Sequence, residues 1–272
     1  MASAGVVARR AGLLVRACHP APTAAVTVLS VALFSSAGNT AARCAIGGLA
    51  VLAGQLSIGW SNDLIDRERD VVAGRTDKPL ASGGLSAAAL GTATALAVLA
   101  SIPLSLALGW PAGVLHLAAV AAGWAYNLWL KFRAVSPLPY LVAFAALPVI
   151  ATLSRHRQWP AAWVVAAAGL VGVAAHFANV LPDLDSDART GVRGLPQRLG
   201  FRRSALIAAA LVVLVAVLVL LARPGPLTAA GLLTALVLAA ITRRAQGNQA
   251  FVFVMLAGAA DLAVVIGSGG LR

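Results

Sequence analysis

The stretch that decides the reading of this chain is NDLIDRERD, residues 62–70. It packs four acids and two arginines into nine positions. Directly before it, residues 41–61 carry a single charged side chain, Arg43. The contrast runs through the whole protein: 60% of its residues are hydrophobic and 11% charged, where a soluble domain carries about 25% charged residues. So little polar surface cannot cover a water-soluble globule. Apolar runs of spanning length occur at 21–38, 41–61, 85–107, 110–129, 137–154, 159–180, 204–222, 226–242 and 250–268. They are continuous and rich in Ala, Leu and Val rather than alternating, so they predict helices and not a membrane barrel. We therefore expect an all-α, multi-pass integral membrane protein with about nine transmembrane helices.

Placing the N-terminus in the cytoplasm puts 16 of the 21 basic residues on the cytoplasmic side, as the positive-inside rule requires. Arg157 and Arg272 count among the outside residues, Arg243 and Arg244 among the inside ones. The net charge of +12 then reads as topology and contact with anionic lipid. No basic patch interleaved with aromatics calls for nucleic acid. Cys18 and Cys44 fall at opposite ends of two spans, so no disulfide is expected. Residues 1–38 have the look of a leader segment, but removing them leaves eight runs that no charge pattern favours. Trp110, Trp124, Trp129 and Trp159 are expected as interfacial belts.

Eight of the nine acids lie in two segments, after the second and sixth runs; the exception is Asp261 in the last run. Four crossings separate the two segments, so both emerge on the same, cytoplasmic face. NDLIDRERDVVAGRTDKPLASG (62–83) and NVLPDLDSDARTGVRGLPQRLG (179–200) align without a gap at an offset of 117. They share Asn62/Asn179, Asp66/Asp183, Asp70/Asp187, Gly74/Gly191, Pro79/Pro196 and Gly83/Gly200. This predicts an internal repeat of two four-helix units with one helix extra.

Spacing of i, i+4 and i+8 holds Asn62, Asp66 and Asp70 on one stripe of a helix, drifting by about 80°. Asn179, Asp183 and Asp187 repeat the stripe, with Pro182 expected to kink or break it. Gly74 and Gly191 mark where each helix should stop. Two facing rows of carboxylates repel unless a cation lies between them. An oxygen-only set suits Mg²⁺, or Mn²⁺, rather than Zn²⁺. Mg²⁺ completes its shell with water and phosphate, and Arg75, Lys78, Arg193 and Arg198 are placed to meet phosphate oxygens. The metal ligands are expected to be Asp66, Asp70, Asp183 and Asp187, with Asn62 and Asn179 ligating or orienting. The constellation predicts a metal-bound diphosphate at the mouth of an apolar chamber, which fits a ligand with a long hydrocarbon tail.

At these residues the chain resembles the UbiA superfamily of intramembrane prenyltransferases, in its N-D-x-x-D-x-x-x-D motif (Asn62, Asp63, Asp66, Asp70) and its D-x-x-x-D motif (Asp183, Asp187). DKPLASG (77–83) is similar to the family's basic-Pro-Leu-x-x-Gly run, and YNLWLKFR (126–133) to its Tyr-plus-Lys region. Lys131 is followed by Phe132 before Arg133, and Gly194 stands where a hydroxyl residue is common. The resemblance covers nearly the whole chain and implies one transmembrane domain over 1–272. It implies an enzyme that moves an isoprenyl group from an isoprenyl diphosphate to a small acceptor, aromatic or quinone-precursor-like, through an allylic carbocation shielded from water.

Beyond the acids, Lys78, Lys131, Arg75 and Arg193 are candidate phosphate ligands. The chain's two lysines both fall beside the site. Tyr126 is placed either to reach the diphosphate or to anchor at the interface. Asp63 stands off the stripe, to hold a basic residue or the acceptor. His176, one turn before Asn179, either lines the chamber or packs between helices. Arg67, Glu68, Arg69 and Asp77 are read as solvated or lipid-facing. Asp261 has no partner that the sequence names. Within the same resemblance, a terpene cyclase or a polyprenyl-phosphate phosphoribosyltransferase shares the acid motifs. A divalent-cation or phosphate transporter needs polar residues through both leaflets, which runs three, four, seven and eight lack.

Overall fold

The computed structural model describes residues 2–156, 158–242 and 248–269. Four arginines of the charge count, Arg157, Arg243, Arg244 and Arg272, lie outside them. Among the described residues the chain forms helices and no strand. The helices are α1 (Ala2–Ala17), α2 (Pro20–Ser36), α3 (Ala41–Val72), α4 (Ala87–Leu106), α5 (Trp110–Leu128), α6 (Leu138–His156), α7 (Ala162–Val180), α8 (Leu184–Thr190), α9 (Leu195–Ala222), α10 (Pro226–Thr242) and α11 (Asn248–Gly267). Each of the nine apolar runs lies on one of them. Length and apolarity together qualify six segments to cross a membrane: α3, α4, α6, α7 with α8, α9 and α11. The pair α1 and α2, bent by 78°, makes a seventh if it is one span; α10, at 17 residues, is shorter.

The acidic stretch does not end the second apolar run. It continues it, as the last turns of a 32-residue α3. Within the helix the Asn62 amide donates to Asp66 Oδ2 at 3.1 Å, and Arg69 pairs with Asp66 one turn back. The stop comes where Gly74 adopts φ +68°. There Arg75 N–H reaches the Asp70 carbonyl at 2.9 Å and Gly74 N–H the Val71 carbonyl at 3.1 Å, the paired bonds of a Schellman cap.

The second acidic stretch folds differently upstream and alike downstream. Pro182 has no N–H to continue the ladder, and α7 gives way to a 3₁₀ turn, Leu181–Asp183, before α8 resumes. The single stripe expected over 179–187 is therefore split across three short elements. At its end Gly191 takes φ +78°, and Val192 N–H bonds the Asp187 carbonyl at 3.0 Å. That is the Arg75–Asp70 bond displaced by 117 residues. Gly83 and Gly200, also aligned, take φ +74° and +76°; the second bends α9 near its start.

Helices approach closely where side chains are small, the usual means of packing without a hydrophobic drive between apolar helices. A Cβ on Gly59 of α3 would stand 2.7 Å from the Cys18 carbonyl, and one on Gly172 of α7 would stand 2.5 Å from the Tyr140 carbonyl. α3 packs on α2, α4 and α5; α6 on α5 and α7; α9 on α7, α10 and α11. α11 also packs on α7 and touches α2, so the early and late helices meet. Trp110, Trp129 and Trp159 are exposed, as belts should be. Trp124 is instead half-buried, its Nε1 donating to Ser57 Oγ at 3.3 Å.

The Gly172 contact carries a prediction. Gly172→Ala forces backbone apart and should destabilise the protein by about 1–3 kcal/mol. Gly91→Ala, on α4 with open space around it, should be neutral or stabilising by up to about 1 kcal/mol. Thermal unfolding in detergent reads both.

Candidate functional site

A cavity of about 440 Å³ opens among α2, α3, α5, α6, α7 and α8. Its mouth is polar and lies at the C-terminal end of α3; its interior is walled by residues such as Val26, Val51, Ala119, Phe144 and Leu147. The continuous helix of α3 places Asn62, Asp63, Asp66 and Asp70 on the lining, and the split α7–α8 segment brings Asn179, Asp183 and Asp187 to the same space.

Asp63 and Asp66 are buried and Asp70 is half-buried, and each is met by a cation. Lys131, carried on a 3₁₀ turn after α5, donates to Asp66 Oδ1 at 2.5 Å. Lys78, from the loop after α3, lies 3.0 Å from Asp63 Oδ1 and 3.0 Å from Asp70 Oδ2. Burial alone would lower the Lys78 pKa, but Asp63 and Asp70 together outweigh it and hold the ammonium above the usual lysine range. For Lys131 burial wins over Asp66, and its pKa falls below that range. Arg75 spans the mouth: it forks onto Asp77 with two bonds of 2.9 Å and reaches Asp183 Oδ1 at 2.9 Å. That fork holds Asp77 below the ordinary carboxylate pKa, and Asp77 with Asp183 holds Arg75 above the ordinary guanidinium one.

Several participants carry no sequence signal of their own. Asn127 ties α5 to α3, donating to the Ile58 carbonyl at 2.8 Å and Ser61 Oγ at 3.0 Å while accepting from Asn62 at 3.3 Å. Gln197 donates to Asp187 Oδ2 at 2.8 Å. His19 lies 3.5 Å from Asp63 and has a positive φ of 55°, uncommon for a residue other than glycine. Arg69 corrects its expected place in solvent or lipid: it lines the cavity, pairs with Asp66 and lies over the Phe132 ring at 5.1 Å. Asp77, also read as solvated, is exposed but held by Arg75. Glu68 and Arg67 are exposed as expected.

Three candidates stand away from the cavity. Arg193 and Arg198 are exposed and do not line it, and Arg198 Nε donates to the Arg193 carbonyl at 2.8 Å. His176 is buried behind it, with Nε2 3.0 Å from Ser136 Oγ and its ring against Tyr126 and Tyr140; the packing alternative holds. Tyr126 itself lines the cavity and meets Tyr140 edge-on at 5.3 Å. Gly194 leaves no room for a hydroxyl residue, because a Cβ there would stand 2.8 Å from the Lys131 carbonyl. Asp261 is buried in α11 with Oδ2 unbonded, outside the cavity lining.

The six expected metal ligands do not close on one point. Among the described residues no three His, Cys, Asp or Glu side chains gather closely enough to cage an ion. The donors that face the cavity from α3 and from the α7–α8 segment are carboxylate and amide oxygens, which fit a hard cation. Mg²⁺ is held by one or two carboxylates together with water and phosphate, so the set suits an ion shared with a phosphate-bearing ligand.

The model of the UbiA prenyltransferase family matches residues 19–263. The chain belongs to that family. Among curated proteins it is similar to the digeranylgeranylglyceryl phosphate synthase of Pyrococcus horikoshii, 28% identical over 153 residues. The match takes in 54% of this chain and 53% of that protein, so the chain spans about half the length of its curated UbiA relative. Among solved structures it has the fold of a UbiA homolog from Archaeoglobus fulgidus bound to GPP and Mg²⁺, with TM-score 0.72 at 15% identity over 94% of this chain and 99% of that one. The apo UbiA homolog from Aeropyrum pernix gives 0.73 at 18%, over 88% and 96%.

The Asn62–Asn127 link is testable. Asn127→Ala removes its bonds to the Ile58 carbonyl, Ser61 and Asn62 at a buried helix contact and should cost about 1–3 kcal/mol. Asn62→Ala added to it should cost less than the two single effects combined, read by thermal unfolding of the three variants.

Proposed function

We propose that the protein is a Mg²⁺-dependent intramembrane prenyltransferase, moving an isoprenyl group from an isoprenyl diphosphate to a small acceptor. The observation that carries this is the mouth of the cavity: two acidic segments, with Lys78, Lys131, Arg69 and Arg75 between them, over an apolar chamber. A polar diphosphate head with a hydrocarbon tail matches that polarity from top to bottom.

Asp66 and Asp70 on one side, and Asp183 and Asp187 on the other, would hold Mg²⁺, with Asn62 and Asn179 orienting them. When bound, the ion supplies charge stabilisation to the leaving pyrophosphate. Lys78 and Lys131 would exchange carboxylate oxygens for phosphate oxygens, and Arg75 would present its fork to the same group. Tyr126 stands at the head of the chamber, its ring set by Tyr140 and His176. The apolar wall excludes the water that would quench an allylic cation. Asp63, joined to Lys78 and near His19, is placed to position Lys78 or meet the acceptor. We take the acceptor to be aromatic or quinone-precursor-like.

We also read the nine long helices as spans of one domain over 1–272, N-terminus cytoplasmic, with the mouth on the cytoplasmic face. The 16-to-5 division of basic residues supports this. The two-unit repeat is supported by the glycines of matching positive φ and by the shared backbone bond at Asp70 and Asp187.

With purified protein, Mg²⁺ and C10 to C20 diphosphates, Asp66→Asn and Asp187→Asn should each lower pyrophosphate release by about a hundredfold or more. Exposed Glu68→Gln should leave it unchanged. Full release by either aspartate variant would overturn the site. A product that forms only with an added acceptor identifies a transferase; release of a cyclised hydrocarbon without one identifies a cyclase instead.

A further inference from the structure

The chamber's far end is not wholly hydrocarbon. The lining residues most distant from the mouth on α2, α3, α5 and α6 are Val26, Val51, His116 and Leu147. His116 is 3% exposed, Gly54 lies against it, and Gln55 also lines the cavity. Ser105 Oγ donates to the Ser101 carbonyl at 2.5 Å and lies 2.7 Å from His116 Nδ1. The Ser105 hydroxyl occupies Nδ1 whichever of the two carries the shared proton, and Nε2 is the ring's remaining polar atom. Among the described residues no group donates to Nε2. Position 54 is glycine where the ring packs on α3: a Cβ there would stand 2.7 Å from Val120 Cγ2 and 3.5 Å from His116 Nε2.

A prenyl tail has no hydrogen-bonding atom to offer this nitrogen, and water, which fills a polar pocket before a ligand enters, does. Gly54 lies twelve positions before Asp66 on α3, which is about 18 Å along the axis. An extended isoprene unit adds about 5 Å, four bonds of about 1.5 Å in zigzag. With the diphosphate and its ion filling the space nearest the carboxylates, about two or three units fit above the floor and a fourth reaches it. We infer that His116, fixed by Ser105, is a tail-length selector: its polar floor accepts C10 and C15 tails and penalises C20, which must displace the water and leave Nε2 unpaired. The inference rests on the isoprenyl diphosphate reading of the cavity.

The test is binding of non-ionising C10, C15 and C20 thiolodiphosphates to the protein in detergent with Mg²⁺. Wild type should bind C20 no more tightly than C15, despite its larger apolar surface. His116→Leu should raise the C20 preference over C15 by about tenfold or more, and His116→Gln, which keeps a polar floor, should leave the ratio near wild type. A wild type that favours C20, or a His116→Leu ratio that does not move, overturns the inference. The wild-type comparison stands even if the leucine variant fails to fold. If wild type binds none of the three, the diphosphate reading itself fails, and this inference with it.

Discussion

Carboxylates at the end of an apolar helix must be neutralised, and most of the site's architecture follows from how that is done. An unpaired buried charge is strongly destabilising, and breaking one partner from such a pair costs about 3–5 kcal/mol. α3 presents Asp63, Asp66 and Asp70 to the cavity from its last turns, and two lysines from different parts of the chain meet them. Asp66 brings in Lys131 from beyond α5, and Asp63 and Asp70 bring in Lys78 from the loop after α3. Arg75 crosses to Asp183 and so ties the two acidic segments together. The loops that roof the cavity are thus held by its own charges. An anionic ligand could take the place of these carboxylates on the cations, as the proposed diphosphate would, with Asp66, Asp70, Asp183 and Asp187 then available to hold Mg²⁺.

The two halves of the mouth are not equivalent. The α3 side is one rigid helix with Asp63 and Asp66 buried. The α7–α8 side is broken at Pro182, and the Asp183 side chain is 45% exposed. One row is pre-set by packing and ion pairs, and the other can adjust through a short helix and a 3₁₀ turn. An ion and a diphosphate shared between them need only the second row to move.

Much of this was legible in the chain. Hydropathy marks the nine longest helices among the described residues, the alignment at an offset of 117 picks out Asp66, Asp70, Asp183, Asp187 and the cap glycines, and the proline at 182 marks the break. The scarcity of lysine points to Lys78 and Lys131. What could not be read are residues whose meaning depends on packing. Asn127, Gln197 and His19 are isolated polar side chains outside the repeated positions, and nothing local says which way they face. Arg69 looks like a solvated neighbour of Arg67 until its side chain is seen to turn back one helical turn onto Asp66. Arg193 shares the segment of Asp187 but emerges after Gly191 has redirected the backbone, so it misses the cavity. Length and apolarity leave α5 and α10 outside the six qualifying spans, although each coincides with an apolar run of the sequence.

The central claim is that the cations now on the carboxylates are the diphosphate's ligands in waiting. An experimental structure with Mg²⁺ and a non-ionising isoprenyl diphosphate analogue tests it most directly. The account predicts Lys78 and Lys131 on phosphate oxygens, with metal-bound oxygens of Asp66 or Asp70 facing those of Asp183 or Asp187 and the tail running toward His116. A bound analogue that left the Lys131–Asp66 and Lys78–Asp70 pairs in place, with its phosphates elsewhere, would contradict it.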